Sequence, residues 1–250
     1  MPDKCVVVTS WDDGYVMDMK LSKLLKMWGI KSTFYVPVSN RGVRLKPGLS
    51  DKELVHLSEN FEIGSHTMTH PWSLPTLDRE NAKKEIHDSK LVLEEVTHTT
   101  VTSFCYPRGL FNNSVIEIVK EARYANARTT ENFFLTKGQM LRKGIFKVGC
   151  TIQARNRRIM SRDAFLGDAY LVKHPGMVSK LPLFHKWNEL AKYLFNQAYL
   201  QRGVFHLWGH SWEIELNNDW NRLYDVLSYI GNRKDVEYLT VSEFVERYGR

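Results

Sequence analysis

Short β-rich runs and amphipathic helical stretches alternate along nearly the whole chain, and that alternation restricts the fold more than any other feature. Val6 to Thr9 reads as a strand. Met17, Leu21, Leu24, Leu25 and Trp28 recur at helical spacing, which predicts a helix over 16–28 with Gly29 as its stop. The pattern repeats with strands at 31–36, 61–64, 101–106, 124–128, 146–150, 203–208 and 237–239. Between them fall helices near 78–97, 113–123, 183–201 and 217–231. Ser50 with Glu53, and Thr240 with Glu243, have the spacing of capping boxes that start two more helices. Such a series implies parallel strands joined by right-handed crossovers, in a closed or nearly closed barrel or a doubly wound open sheet. Both arrangements collect functional residues at the carboxyl ends of the strands.

Composition narrows the setting. A chain of 250 residues with 43% apolar and 25% charged residues can bury a large core without covalent cross-links. No apolar run approaches the ~18 residues of a membrane span, and the residues before the first strand lack the charged-then-apolar pattern of a signal segment, so none is expected there. Cys5, Cys105 and Cys150 are odd in number and widely spaced, so a disulfide framework is not expected and a reducing, cytoplasmic location is. The formal charge is +7. Between Asn132 and Arg162 no acid occurs, while Lys137, Arg142, Lys143, Lys147, Arg155, Arg157, Arg158 and Arg162 are basic. This is either a solvated face or an attraction for an anionic substrate. No nucleic-acid recognition motif accompanies it, so specific nucleic-acid binding is not expected.

Four clusters stand where strands end. Asp12 and Asp13 follow the first, and Gly14 would let the chain turn so that both carboxylates reach one pocket. The same Asp-Asp-Gly would also serve as a plain turn. His66 and His70, between Gly64 and Pro71, are four apart and would share a side of a helical turn, a spacing that fits metal ligation. Residues 104–109, Phe-Cys-Tyr-Pro-Arg-Gly, form a shaped turn whose N–H groups could face an oxyanion, or an ordinary loop. His206, Trp208 and His210 alternate and share one face of an extended strand. His210, nearest the carboxyl end, is the general-acid candidate, and the deeper His206 reads as a packed or supporting group.

Asp-Asp-Gly, His-x-x-x-His-Pro, a Pro-containing turn and a late His, in this order over residues 5 to about 215, resemble the polysaccharide deacetylase family, also called the NodB-homology domain. The resemblance implies a distorted (β/α) barrel of seven or eight mostly parallel strands, with residues 1–250 forming one catalytic domain. It implies that Asp13, His66 and His70 hold a divalent metal, most often zinc, with cobalt, nickel or another divalent ion as alternatives. Asp12 would be the general base, His210 the general acid, and the Arg108 N–H an oxyanion donor. Tyr106 and Pro107 would contribute to substrate binding from the same turn, and Leu207 or Trp208 would wall an acetyl pocket unless they belong to the core. Many members carry Arg-x-Pro-Tyr in the third motif, where the Arg orients the base; here those slots hold Cys105, Tyr106, Pro107 and Arg108. The acidic fourth motif with Trp is not visible, and Ala127-Arg128-Thr129-Thr130 stands near its place. Arg128 is therefore expected beside Asp12, with Arg108 as second choice.

The expectation is a metal-dependent hydrolase that removes an N-acetyl or N-formyl group from a sugar or glycan precursor, with an anionic one as an option that the basic stretch leaves open. Two other readings are a cyclic-amide or other non-peptide C–N hydrolase of the same superfamily, and a non-catalytic carbohydrate-binding relative. The joint presence of Asp12, Asp13, His66, His70 and His210 argues against the last.

Overall fold

The computed structural model describes residues 4–39, 47–135, 147–155 and 184–249. The first half alternates as expected: β1 (Cys5–Asp12), α1 (Asp18–Met27), β2 (Thr33–Val36), α2 (Asp51–Ser58) and β3 (Glu62–Ser65). The long helix after β3 is three joined pieces, α3 (Arg79–Lys83), a π-turn (Lys84–Asp88) and α4 (Ser89–Thr97). Then come β4 (Ser103–Cys105), α5 (Asn113–Glu121), β5 (Asn126–Arg128), β6 (Ile152–Gln153), α6 (Trp187–Leu200) and β7 (Val204–Gly209). The series ends with α7 (Ser211–Leu216), α8 (Trp220–Ile230), β8 (Val236–Leu239) and α9 (Val241–Tyr248). Both expected capping boxes form, at Ser50–Glu53 and Thr240–Glu243. Among the described residues no helix is long and apolar enough to cross a membrane.

All strand pairs are parallel, in the order β5-β4-β3-β2-β1-β7-β6. β1 is long enough to share one edge between two neighbours. Its first half pairs with β8 (Cys5 to Val8), and its last residues, Ser10 to Asp12, pair with β2. The sheet curls until its ends meet. Val148 bridges Arg128 of β5, and a few residues later Ile152 and Gln153 join Leu207 and Trp208 of β7. The strand expected over 146–150 is therefore only a bridge within the described residues. This strip crosses from one sheet edge to the other, so neither ladder extends far. The result is the distorted (β/α) barrel that the alternation and the resemblance pointed to.

Side-chain parity separates two cores. In β1, Val6 and Val8 face the barrel interior with Tyr35, Cys105, Phe134, Val148 and Val204. Cys5, Val7 and Trp11 face the helical layer with Leu21, Leu25 and Phe205. Helix α9 closes the bottom of the interior by inserting Val241, Phe244 and Val245 beside Leu239. The period of two then carries Ser10 and Asp12 up the interior face toward the mouth.

His206 stitches this closure together. Its Nδ1–H donates to the Gly149 carbonyl (2.9 Å), and its Nε2 accepts from the Ser10 hydroxyl (2.9 Å). Its backbone exchanges hydrogen bonds with Thr151, whose Oγ1 accepts the His206 N–H and whose N–H donates to the His206 carbonyl. Burial, aided by the nearby Arg128 charge, pushes its pKa down to about 3, so the ring is neutral. His206→Ala should cost about 2–4 kcal/mol by leaving a cavity and two unpartnered buried groups. Urea denaturation checks this, and an unchanged midpoint would remove His206 from the closure.

Candidate active site

Asp12 ends β1 on the interior face, and in an extended chain Asp13 would point away from it. Instead Asp13 has φ 80° and Gly14 φ 59°. Two consecutive left-handed residues reverse the alternation, so both carboxylates enter the same space. The Asp13 N–H donating to the Tyr35 carbonyl (3.0 Å) holds the turn. A non-glycine residue with positive φ is strained, and such strain collects at functional sites. Thr67, His70 and Arg108 share the feature at the same barrel mouth.

His66 and His70 meet without the helical turn that their spacing suggested. The loop bends through positive φ at Thr67 (72°) and His70 (53°), and Thr67 Oγ1 accepts the His70 N–H. Glu85, in the π-turn, holds the loop from behind. Its carboxylate accepts from the Thr69 N–H (2.9 Å) and hydroxyl (2.6 Å), and its carbonyl accepts from the Met68 N–H (3.0 Å).

The three groups converge. Asp13 Oδ1 lies 3.7 Å from His66 Nε2 and 3.7 Å from His70 Nε2, and this buried oxygen has no hydrogen-bond partner. Tetrahedral ligands at ~2.0–2.1 Å from an ion stand about 3.4 Å from one another, so the spacing suits an ion between them. The His66 Nδ1–H donates to the Cys105 carbonyl (2.9 Å), which leaves the Nε2 lone pair free toward the gap. Burial, with the neighbouring His70, pushes His66 down to about 4, so its ring is neutral and able to ligate near pH 7. Asp13, His66 and His70 thus fit a divalent metal. A second grouping, Asp12, His66 and Cys105, fits less well. Burial holds the Cys105 thiol well above its ordinary pKa, and Asp12 already has a cation.

That cation is Arg128. Its Nη2 donates to Asp12 Oδ2, and both side chains are almost wholly buried. The guanidinium lies 4.7 Å from the Trp208 ring and 5.2 Å from the Tyr35 ring. Cys105 and Arg128 are register partners on adjacent strands, and Arg128 Nη2 lies 2.8 Å from Cys105 Sγ. The small thiol leaves the space into which the neighbouring strand's guanidinium reaches. Arg108, the second choice for this position, instead stacks over Trp72.

His210 sits across the cavity, with Nε2 3.8 Å from Asp13 Oδ2 and 4.0 Å from Asp12 Oδ2. Its Nδ1–H donates to Glu213 Oε2 (2.7 Å). Glu213 also accepts from Gln153 Nε2 (3.0 Å) and Arg155 Nη1 (2.6 Å). Burial disfavours the imidazolium, but the Glu213 hydrogen bond and the charges of Asp13, Asp12 and Glu213 outweigh it and push His210 up to about 9. A buried acid lies behind the cluster: burial, reinforced by Asp13 and Asp12, raises the Asp18 carboxyl well above its usual range.

The sequence profile described as polysaccharide deacetylase matches residues 1–127, just over half of the chain. The chain belongs to the polysaccharide deacetylase family. It is 28% identical over 131 residues to YxkH of Bacillus subtilis, which carries the polysaccharide deacetylase name; the match covers 52% of this chain and 46% of that protein, less than half its length. The fold resembles a crystal structure from Mycobacterium smegmatis given the same family name, at a TM-score of 0.69 and 16% identity, covering 100% of this chain and 92% of that one. It also resembles a family 4 acetyl xylan esterase from Clostridium thermocellum, solved with a cobalt ion, at a TM-score of 0.57 and 14% identity over 98% and 92% of the two chains. The family match contains Asp12, Asp13, His66, His70 and the Cys105–Arg108 turn, and stops just short of Arg128.

The side chains enclose a cavity of about 310 Å³ lined by Asp12, Asp13, His66, His70, Arg108, Trp208 and His210, with Thr130, Gln153, Arg155, Trp212 and Glu213 completing the wall. Trp208 is held there by its Nε1–H donating to Asn132 Oδ1 (2.8 Å). Three expected substrate contacts need correction. Leu207 is fully buried in the helical-layer core, because parity in β7 turns it away from Trp208. Tyr106 lies in that same layer, edge-on to Phe104 and tilted against Phe111, and Pro107 is buried in the turn; neither lines the cavity. Most of the basic stretch, including Lys137, Arg142, Lys143, Arg157, Arg158 and Arg162, lies outside the described residues.

Trp212, Glu213, Gln153 and Arg155 are site residues that the sequence reading did not assign. Glu213 had a legible signal, since it follows His210 by three residues at a helix start. Trp212 had none. Its Nε1–H donates to Asp13 Oδ2 (2.8 Å), leaving Oδ1 as the atom that faces both imidazoles. Trp212→Phe should weaken metal binding by about 10–100-fold, the usual effect of losing a group that orients a ligand. Equilibrium dialysis against zinc or cobalt measures it, and unchanged affinity would show that Asp13 needs no such restraint.

Proposed function

We propose that the protein is a metal-dependent deacetylase that hydrolyses the N-acetyl or N-formyl group of a sugar or glycan precursor. One observation carries this reading. Asp13 Oδ1 stands unpartnered between two imidazole nitrogens, while Asp12, one residue away, is engaged instead by Arg128. Asp13, His66 and His70 would hold the ion, and two imidazoles with one carboxylate suit zinc while leaving coordination positions open. Cobalt or nickel also fits the donor set. When bound, such an ion polarises an amide carbonyl and lowers the pKa of water.

The chain's own residues perform the proton transfers. Asp12 Oδ2 is engaged by Arg128, and the buried Oδ1 has no hydrogen-bond partner. Oδ1 accepts the proton of the attacking water as its oxygen bonds to the carbonyl carbon. Arg128 holds the carboxylate in position by donating to Oδ2. The Arg108 N–H has no backbone acceptor among the described residues, and Arg108 lines the cavity. It is placed to donate to the developing oxyanion. His210 then gives its Nε2 proton to the leaving nitrogen as the C–N bond breaks, releasing the carboxylic acid and the free amine. Glu213 holds the ring by Nδ1 and favours its protonated form. Trp208 contributes the apolar wall that Leu207 cannot.

Asp12→Asn should keep one ion per chain while acetate release from N-acetylglucosamine oligomers falls by about 10²–10⁴-fold. Metal analysis alongside an acetate assay checks both halves, and near-native turnover would remove Asp12 from the base role.

Glu213→Gln should return His210 from about 9 toward its ordinary 6.5, because the variant loses the charge that favours the imidazolium and offers Nδ1–H only a neutral acceptor. NMR titration of the ring in the metal-free protein reads this directly. In the loaded enzyme an acid must be protonated to act, so activity should fall with rising pH. That falling limb should move to lower pH in the variant, and an unmoved limb would exclude His210 as the acid.

A further inference from the structure

The rim of the cavity carries a cation that the proposed chemistry leaves unused. The Arg108 guanidinium carbon lies 3.5 Å from the centroid of the Trp72 ring, and Trp72 is 70% exposed. Among the described residues Arg108 has no carboxylate partner. The other two arginines at the site are both paired, Arg128 with Asp12 and Arg155 with Glu213. A guanidinium stacked by its face keeps its N–H donors in the plane, directed outward as a fork that matches two oxygens of an anion.

The turn that carries this fork is held in place. Arg108 has φ 57° and Gly109 φ 72°, and a β-carbon on Gly109 would collide with the Thr130 side chain. A donor fixed before binding loses little entropy when its partner arrives. The stack also changes what the exposed tryptophan offers. One ring face is covered by a charged group, so the rim presents a cation where a neutral sugar would need an open aromatic surface.

From this we infer that Arg108, stacked on Trp72, is an oxyanion-recognising subsite that selects N-acetyl sugars bearing a carboxylate or a phosphate close to the amide. The inference rests on the reading of the cavity as the site of amide hydrolysis. It gives the Arg108 side chain a role separate from that of its N–H, which any non-proline substitution retains.

The test is equilibrium binding of three probes to the metal-free protein at low and high salt: N-acetylglucosamine, its lactyl ether and its phosphate monoester. The wild type should bind at least one acidic probe about tenfold more tightly than the neutral sugar, the effect of one charge-assisted hydrogen-bonded pair. Salt should narrow the gap. Arg108→Met should abolish it, and Arg108→Lys, which keeps the charge but not the fork, should retain part of it. Preference for the lactyl ether alone assigns a carboxylate, and preference for the ester alone assigns a phosphate. Equal affinities in the wild type, no measurable binding of either acidic probe, or a gap that survives Arg108→Met would overturn the subsite. Acetate release from the neutral sugar by the loaded wild type is measured in parallel. Release without a binding gap removes the subsite and leaves the deacetylase reading, whereas a gap without release from any of the probes does the reverse.

Discussion

The ion pair between Asp12 and Arg128 is the interaction on which the barrel mouth depends. Both side chains are almost completely out of water, so neither charge is tolerable alone, and removing one partner of such a pair typically costs about 3–5 kcal/mol. β1 and β5 are not neighbours; three strands lie between them along the sheet. The pair therefore spans the interior and ties opposite walls together. Folding the barrel and forming the proposed catalytic centre become one event, because the charges can be buried only when the walls meet. The same contact leaves Asp12 with one free oxygen beside the proposed metal ligands.

The positions that supply these charges are interchangeable in a way that register explains. The slot in which many members of the family carry an arginine holds Cys105, and the guanidinium comes from its partner one strand over. A cation needs only to reach Asp12 from the interior face, and either strand offers a side chain on that face. On the other side of the cavity, Glu213 reaches His210 from within the same segment, so no distant loop has to deliver the acid. Gln153 and Arg155 then fix Glu213 from the strip that closes the sheet.

Much of this was legible in the residues. The strand–helix alternation, both capping boxes and the grouping of Asp12, Asp13, His66, His70 and His210 at strand ends follow from periodicity and spacing. What was hidden had particular causes. The turn at Gly14 was legible, but the part that Asp13 plays through its own positive φ was not, because an Asp side chain does not announce it. The meeting of the two histidines depends on Glu85, held in a π-turn that resembles ordinary helix in sequence. Leu207 and Tyr106 were placed by nearness to motifs, although the alternation that puts His206, Trp208 and His210 on one face already turns Leu207 to the other. β6 is too short to have a pattern, and its position follows from where the curling sheet leaves a gap.

That gap gives the molecule an uneven durability. Among the described residues, the wall between β5 and β7 is held by the Val148 bridge, two residues of β6, the backbone bonds of Glu131, Phe133 and Phe134 to Cys150 and Thr151, and the hydrogen bonds around His206. Elsewhere β1 is laced along its full length. A transient parting at the weak stitch would let solvent reach the Arg128 guanidinium and would release Gln153 and Arg155 from Glu213 together. Asp12 and His210, the proposed base and acid, would then lose their restraint in the same breathing motion, so the lifetime of the closed wall would limit how long the proposed centre stays competent.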